Sequence, residues 1–247
     1  MVSISASTTE ALFAIGAGAQ VVGRSRYCDY PPAALGLPTV GGYVDPNLEA
    51  ILALGPDLVV GARGPLGPGI VRTLEDHRIA TYFPETESLA QILTMLEGLG
   101  ARTGHVEEAR RLRASLTARA EAMRRTFAAG PHPRVLLVFS TRPISAAGPG
   151  SFADESLTLA GSANVVREGG AYPNLPLEAV VALDPDLILV AEMGGAGVPG
   201  PTWTAIRAVR EGHVVSIDDE AVLRPGPRVL DGVATLAHAI HPGVAVP

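Results

Sequence analysis

Two tyrosines and two glutamates occupy matching positions in the two halves of this sequence. Tyr43 and Glu49 lie in the first half, and Tyr172 and Glu178 lie in the second half with the same spacing. An aromatic ring in a loop offers a flat surface for stacking, and a carboxylate in the first turn of a helix can form charge-assisted hydrogen bonds. Because aromatic residues make up only 4% of the chain, tyrosines in corresponding loops indicate a binding role.

These four residues belong to an internal repeat or lie just before it. The segment 48–60 recurs as 177–189, and eight of the thirteen positions are identical. Each copy predicts a short helix, a Pro–Asp turn and a buried strand, because proline ends the helix and the aliphatic run enters a sheet. The sequence therefore predicts two lobes of the same design.

Short apolar runs alternate with segments of helical spacing in both halves, which is typical of parallel α/β layers. The predicted strands are 2–5, 21–25, 58–61, 80–83, 135–140, 187–191 and 214–217. The predicted helices are 8–15, 48–54, 68–77, 88–99, 152–160, 177–183, 202–209 and 227–240. We therefore predict an α/β fold with two Rossmann-like lobes, each built on a central parallel sheet.

One segment breaks this alternation. Residues 104–128 contain no proline and no internal glycine, with acids near the start and arginines near the end, as a helix dipole favours. We predict one long helix over 103–130 that joins an N-terminal lobe, 1–102, to a C-terminal lobe, 131–247.

The composition excludes several classes of protein. The chain of 247 residues is 47% hydrophobic and 18% charged, with a formal net charge of −6, which indicates a globular protein and argues against nucleic-acid binding. No apolar run approaches the roughly 20 residues needed to cross a bilayer. Cys28 is the only cysteine, so an internal disulfide is excluded, and we expect Cys28 to be a buried, small apolar residue.

The N-terminus carries no signal-peptide pattern. Met1 leads directly into Val2–Ser5, without a basic segment, an apolar core or a cleavage site. Either the protein is cytosolic or a targeting segment has been removed, and both alternatives remain open at this point.

Four stretches of the chain resemble the helical-backbone (class III) substrate-binding proteins of ABC importers, which carry cobalamin, haem and ferric siderophores. These stretches are Val2–Glu10 with the nearby segments 15–18 and 21–23, Cys28–Pro32, Gly42–Val59, and Arg224–Arg228. The resemblance covers essentially the whole chain. It implies that a ligand is held in a cleft between two lobes and passed to a membrane permease and its ATPase, in a periplasmic or other extracytoplasmic compartment.

The resemblance also implies roles for particular residues. Tyr43 is placed at the mouth of the cleft, where cobalamin binders carry an aromatic residue and haem binders carry an iron-ligating tyrosine, and Tyr172 stands in the corresponding loop. The other implied ligand contacts are Tyr27, Asp29, Tyr30, Arg63, Arg142, Glu220 and Arg224. Glu49 and Glu178 are implied to dock on arginines of the permease, one from each lobe.

Cobalamin or another corrinoid is the leading ligand, because segments 29–32 and 47–49 are most similar to that branch. Haem is the alternative, favoured by Gly42-Tyr43 and by segment 148–151, and a ferric siderophore comes third. Cobalamin binders often place tryptophans in the cleft, whereas the only tryptophan here, Trp203, falls in a predicted helix of the second lobe.

The sequence gives little support to an enzyme or a carrier of free metal ions. The six histidines include no pair at the i, i+4 spacing of a helix, and neither a serine-nucleophile motif nor a phosphate-binding fingerprint is present. We expect a monomeric binding protein with no catalytic residue, no cofactor and no metal site, unless Tyr43 ligates haem iron. A cytosolic enzyme acting on corrinoids or tetrapyrroles is the alternative from another class.

Overall fold

The computed structural model describes residues 1–63, 68–192 and 201–247. They fall into two compact units, which we call unit 1 (Met1–Leu116) and unit 2 (Thr117–Pro247). Each unit combines a β-sheet with helices, which confirms the α/β prediction. The boundary between the units lies within a single helix of 22 residues.

Unit 1 contains a parallel sheet of four short strands. The strands are β1 (Val2–Ser3), β2 (Gly23–Arg24), β3 (Leu58–Val60) and β4 (Ala80–Tyr82), in the order β2-β1-β3-β4. The helices are α1 (Ala6–Ala14), α2 (Leu48–Ala53), α3 (Pro68–Asp76) and α4 (Leu89–Thr103), with 3₁₀ helices at Gly18–Gln20 and Pro32–Gly36. Helix α5 (Val106–Phe127) begins in unit 1 and continues into unit 2. Val2 of β1 and Val59 of β3 are fully buried, and they belong to one apolar cluster with Ile51 of α2 and Leu74 of α3.

Unit 2 contains a larger, mixed sheet. Its strands are β5 (Arg134–Thr141), β6 (Ile144–Ala146), β7 (Ala163–Asn164), β8 (Asn174–Leu175), β9 (Leu187–Val190) and β10 (Val214–Ser216). They follow the order β10-β9-β5-β6-β8, and β7 also pairs with β5. The helices are α6 (Phe152–Leu159), α7 (Leu177–Leu183), α8 (Arg207–Arg210) and α9 (Val229–Ile240), with 3₁₀ helices at Pro201–Ala205 and Glu220–Leu223.

The predicted parallel arrangement is present in unit 2, and two further strands make its sheet mixed. Strands β5, β7, β9 and β10 are parallel, but β6 and β8 run antiparallel to their neighbours. Strand β6 returns along β5 through a hairpin whose paired ends are Thr141 and Ile144. Only two residues form the connection, which forces the antiparallel direction.

Most helices differ from their predicted bounds by a few residues, and two of the differences have a visible cause in the backbone. The long helix starts at Val106 rather than at residue 103, because Gly104 ends α4 in the left-handed conformation (φ 77°). The predicted helix 202–209 is broken at Ile206, which is extended (φ −83°, ψ 131°) and 1% exposed. Trp203 lies in the 3₁₀ part of this segment and is buried.

The internal repeat is confirmed as a structural repeat. The first copy forms α2 and β3, and the second forms α7 and β9. The turns match as well, since Gly55 (φ 53°) and the aligned Asp184 (φ 40°) both have positive φ. Separately, none of the helices in the described part of the chain has the length and apolar character that a bilayer crossing requires.

Candidate functional site

Most of the predicted ligand contacts of unit 1 lie at one edge of its sheet. Loops that follow parallel strands meet at the carboxyl edge, where α/β proteins bind ligands. Tyr27, Asp29 and Tyr30 follow β2, and Arg63 follows β3. The structure therefore gathers these four residues on the same edge of unit 1.

The loop after β2 exposes two tyrosine rings to solvent and buries the cysteine that lies between them in sequence. Tyr27 is 44% exposed and Tyr30 is 43% exposed, whereas Cys28 between them is fully buried. The Cys28 Sγ atom lies 3.3 Å from the Ser25 Oγ atom. The prediction that Cys28 is buried is confirmed, and this packing leaves the neighbouring tyrosine rings outside the core.

Tyr43 stands in a tight turn beside this loop. The backbone N–H of Arg26 donates to the carbonyl oxygen of Gly41, and the Arg26 guanidinium binds both carboxylate oxygens of Asp45 at 2.7 and 2.8 Å. Gly41 has φ 91°, and a Cβ atom there would come within 2.6 Å of two backbone atoms. The turn is therefore fixed on both sides of Tyr43.

The hydroxyl of Tyr43 faces the loop after β3. It donates a hydrogen bond to the carbonyl oxygen of Ala62 at 3.2 Å, and the side chain is half-buried. Burial raises the pKa of Tyr43, and the negative charges of Glu87 and Glu85 raise that pKa further. These surroundings stabilise the neutral phenol over the phenolate.

Arg63 is exposed, and its guanidinium forms an ion pair with Glu85 at 2.9 Å. Both side chains are well solvated, so the pair adds only about 0–1 kcal/mol to stability. Sequence reasoning missed Glu85 and Glu87, although both follow β4 and so reach the same carboxyl edge.

In unit 2, Tyr172 lies in the loop between β7 and β8. Its ring is 42% exposed and packs against Phe139 with a centroid distance of 5.9 Å. The loop is held where the N–H of Gly148 donates to the carbonyl oxygen of Ala171 at 2.9 Å. A Cβ atom on Gly148 would come within 2.1 Å of the Gly170 carbonyl oxygen, so only glycine permits this close approach. Phe139 was not predicted as part of the site.

Glu220 and Arg224 lie in the segment that follows β10. They form an ion pair in which Arg224 is nearly buried and the Glu220 side chain is 50% exposed. The pair is therefore less solvated than a surface pair, and the Glu220 side chain remains half exposed to solvent. Asp219 stabilises the segment, since it accepts hydrogen bonds from the Ala221 N–H at 2.9 Å and from the Thr235 hydroxyl at 2.6 Å.

Arg142 follows β5 and is exposed. Because β5 and β10 run in the same direction within the sheet, Arg142 and Glu220 follow strands whose carboxyl ends share one edge of unit 2. Groups of three or more His, Cys, Asp or Glu side chains placed to hold a metal ion are absent from the residues described.

Glu49 and Glu178 hold equivalent exposed positions in the two units. Each lies in the first turn of its repeat helix, α2 or α7. Neither carboxylate forms an ion pair with any residue in the described ranges. Both are thus available to an external cation.

The sequence matches the family described as "Periplasmic binding protein" over residues 1–221. A vitamin B12-binding protein of Salmonella typhimurium is 30% identical over 242 residues, covering 97% of this chain and 89% of the relative. The solved structure of the periplasmic vitamin B12 binding protein of Vibrio cholerae is 26% identical, with a TM-score of 0.84 and coverage of 97% and 95% of the two chains. A periplasmic heme binding protein from Pseudomonas aeruginosa is 27% identical, with a TM-score of 0.88 and coverage of 99% and 93%.

Proposed function

The chain belongs to the periplasmic binding protein family, and on that premise we propose that it captures cobalamin or a related corrinoid for an ABC importer. The resemblance to helical-backbone importer proteins is confirmed. Both vitamin B12-binding and haem-binding proteins are among its relatives, so the choice of ligand depends on the residues of this chain.

The surroundings of the Tyr43 hydroxyl are the observation that favours a corrinoid over haem as the ligand. A tyrosine that ligates haem iron binds through its oxygen, and metal ligands bind best when deprotonated. Here the hydroxyl donates a hydrogen bond to the carbonyl oxygen of Ala62, and burial together with Glu87 and Glu85 raises the pKa of Tyr43. A neutral phenol suits stacking on a ligand whose metal needs no protein ligand.

The ligand contacts are proposed for loops of each unit. In unit 1, Tyr27, Tyr30 and Tyr43 offer ring surface, supported by the exposure of the first two. In unit 2, Tyr172 offers ring surface and the half-exposed side chain of Glu220 can accept hydrogen bonds from amide groups of a corrin rim. Asp29, Arg63, Arg142 and Arg224 complete the proposed set, with polar groups at the edge of the ligand.

Titration with candidate ligands tests this function directly. Purified protein is titrated with cyanocobalamin, cobinamide, haemin and a ferric siderophore, followed by visible absorbance and calorimetry. We expect saturable one-to-one binding of cyanocobalamin or cobinamide. Binding of none of the four would contradict the proposed ligand class.

Two substitutions at Tyr43 separate the corrinoid from haem. Tyr43→Phe keeps the ring, so corrinoid affinity should stay within about threefold, whereas Tyr43→Ala should weaken it about tenfold through lost stacking and burial. Tyr82→Phe is the matched control, since Tyr82 is also a half-buried tyrosine of unit 1.

Haem is the second candidate, favoured by the structural similarity to the haem-binding protein. If haem is the ligand, the wild-type protein shifts the haem spectrum and Tyr43→Phe removes that shift. This outcome would make Tyr43 an iron ligand and overturn the corrinoid proposal.

Delivery to the permease is proposed to use Glu49 and Glu178. The support is their equivalent placement and exposure, together with the lack of an ion pair to either within the described residues. Arginine is the expected counterpart, because its guanidinium binds carboxylates through two parallel hydrogen bonds.

A transport assay tests docking separately from capture. The double variant Glu49→Ala, Glu178→Ala should keep ligand affinity within about twofold and reduce permease-dependent uptake at least about tenfold. The control is Asp76→Ala with Glu121→Ala, which removes one exposed acid from each unit. Normal uptake by the Glu49→Ala, Glu178→Ala variant would contradict the docking assignment.

This function places the protein outside the cytoplasmic membrane, where the ligand is captured. The vitamin B12 binding protein of Vibrio cholerae and the heme binding protein of Pseudomonas aeruginosa, to which the chain is similar, are periplasmic. Fractionation of cells that express the native gene should recover the protein with periplasmic or membrane-anchored markers, whereas recovery with cytosolic markers would favour an intracellular role.

A further inference from the structure

Arg24 is a buried cation at the end of β2, and it lacks a carboxylate partner. The residue is 8% exposed, and it forms no ion pair with any residue in the described part of the chain. Its Nη1 atom donates to the carbonyl oxygen of Ser25 at 3.1 Å, and its Nη2 atom donates to that of Leu35 at 3.3 Å. The buried Nε atom has no hydrogen-bond partner among the described residues.

Such a group is costly for the fold. Burial of a charge is unfavourable unless an opposite charge and a full set of hydrogen bonds compensate it. An apolar side chain of similar length would fill the same space without that penalty. What the guanidinium adds is a rigid fork of donors that can reach two separate carbonyl oxygens.

Those two carbonyls bracket the loop that carries the exposed tyrosines. Ser25 is the first residue after β2, and Leu35 lies in the 3₁₀ helix Pro32–Gly36. Between them lie Tyr27 and Tyr30, each more than 40% exposed. Arg24 therefore joins the start of this loop to its far side.

The backbone of Arg24 closes the same loop. Its N–H donates to the carbonyl oxygen of Pro38 at 2.9 Å, and its carbonyl accepts from the N–H of Val40 at 2.8 Å. The N–H of Cys28 donates to the Ser25 carbonyl at 3.1 Å, so that carbonyl keeps a partner if the guanidinium is removed. The bond to Leu35 is thus the one that depends most on the arginine side chain.

We propose that Arg24 is a positioning residue for ligand capture, which holds loop 25–35 so that Tyr27 and Tyr30 are presented before the ligand arrives. This inference rests on the proposed binding function. A loop that is ordered in advance lowers the entropy cost of binding. Loss of Arg24 should then weaken capture while leaving the core of unit 1 intact.

The test uses Arg24→Met and Arg24→Lys in the full chain. Hydrogen exchange of residues 26–36 is measured without ligand, the free energy of unfolding is measured in urea, and affinity is measured with cyanocobalamin. We expect exchange in the loop to rise at least about tenfold and affinity to fall about tenfold in both variants. The free energy of unfolding should change little, because Arg24→Met also removes an uncompensated buried charge.

The lysine variant separates positioning from charge. Its single ammonium keeps the positive charge but cannot form the fork to two carbonyls, so wild-type affinity in Arg24→Lys would overturn the proposal in favour of charge alone. If Arg24→Met fails to fold, the same measurements on Arg24→Lys still test the proposal. Arg72→Met is the control, since Arg72 is an exposed arginine on α3 of the same unit.

Two further outcomes would also overturn the proposal. Unchanged exchange in residues 26–36 would show that Arg24 does not hold the loop. If the free energy of binding and the free energy of unfolding fall by the same amount in a variant, the role of Arg24 would be merely structural. Because the exchange measurement needs no ligand, a wild-type protein that binds no corrinoid would contradict the proposed function, and exchange in residues 26–36 would still decide whether Arg24 holds the loop.

Discussion

The repeated segment is stabilised by different means in the two units. In unit 1, the Asn47 side chain caps α2 by accepting a hydrogen bond from the Ala50 N–H at 3.0 Å. In unit 2, the aligned Pro176 precedes α7 and makes no side-chain cap. A proline at this position instead restricts the unfolded chain, so the two helices begin through different physical effects.

The turns after these helices differ in the same way. Gly55 adopts its positive φ at no steric cost. The aligned Asp184 has a side chain in that conformation, and Arg207 binds it at 3.0 Å. Arg207 also binds Asp186 at 2.9 Å, and the backbone N–H of Arg134 donates to Asp186 at 2.9 Å. The turn of unit 1 is thus stabilised by the conformational freedom of glycine, and the turn of unit 2 is stabilised by charged side chains. The same backbone conformation is therefore compatible with different residues.

The largest expected effect contrasts two glycines at close contacts. A Cβ atom on Gly232 of α9 would come within 2.6 to 2.9 Å of backbone atoms of Ala221 and Val222. A Cβ atom on Gly98 of α4 would have the hydroxyl end of the Tyr82 ring as its nearest neighbour. Backbone moves less easily than the end of a half-buried side chain, so Gly232→Ala should cost about 2–3 kcal/mol and Gly98→Ala about 1 kcal/mol or less.

Urea denaturation of both variants measures this difference. Gly232→Ala should also weaken ligand binding, because it displaces the segment that carries Glu220 and Arg224. Equal losses of stability in the two variants would mean that the contacts of unit 2 are no stiffer than those of unit 1.

The repeat was predictable because each copy carries its own local signals. A proline, an aspartate and an aliphatic run specify a helix, a turn and a strand within thirteen residues. The edge at which Tyr27 and Arg63 lie was also predictable, since loops after parallel strands share one edge.

Contacts between distant segments were not predictable in this way. Strands β7 and β8 have two residues each, so their pairing with other strands, rather than their composition, defines them. The approach of Glu87 to Tyr43 and of Phe139 to Tyr172 depends on sheet order, which a single sequence does not encode locally. The role proposed for Arg24 could not be predicted either, because it depends on a hydrogen bond to a carbonyl oxygen eleven residues away.

A smaller effect is expected from the helix starts. Asn47→Ala removes a side-chain cap and should cost about 1 kcal/mol. Pro176→Ala removes no side-chain hydrogen bond and should change the free energy of unfolding by about 0.5 kcal/mol or less. Urea denaturation of the two variants checks the contrast, and a larger loss from Pro176→Ala would show that α7 depends on its start more than α2 does.

The smallest effect concerns pH and sharpens the contrast between the turns. The hydrogen bond from the Arg134 N–H, followed by the one from Arg207, lowers the pKa of Asp186. Because the pKa in the folded state is depressed, the stabilisation is complete above the unfolded value of about 3.9 and is lost as pH falls through the folded value. Asp186→Asn should therefore be less stable than the wild type at pH 7, and the difference should shrink below about pH 4.

The aligned residue of unit 1 supplies the control for this pH dependence. Asp57 has no arginine partner among the described residues. The Met1 amino group interacts with its charge without forming an ion pair, so Asp57→Asn should show a smaller difference between pH 7 and pH 3. Urea denaturation of both variants at the two pH values measures it. Because the Asp186 side chain is 45% exposed, screening keeps its contribution small, and added salt should reduce it further. A difference for Asp57→Asn as large as that for Asp186→Asn would mean that the charged partners of unit 2 add nothing to the shared turn.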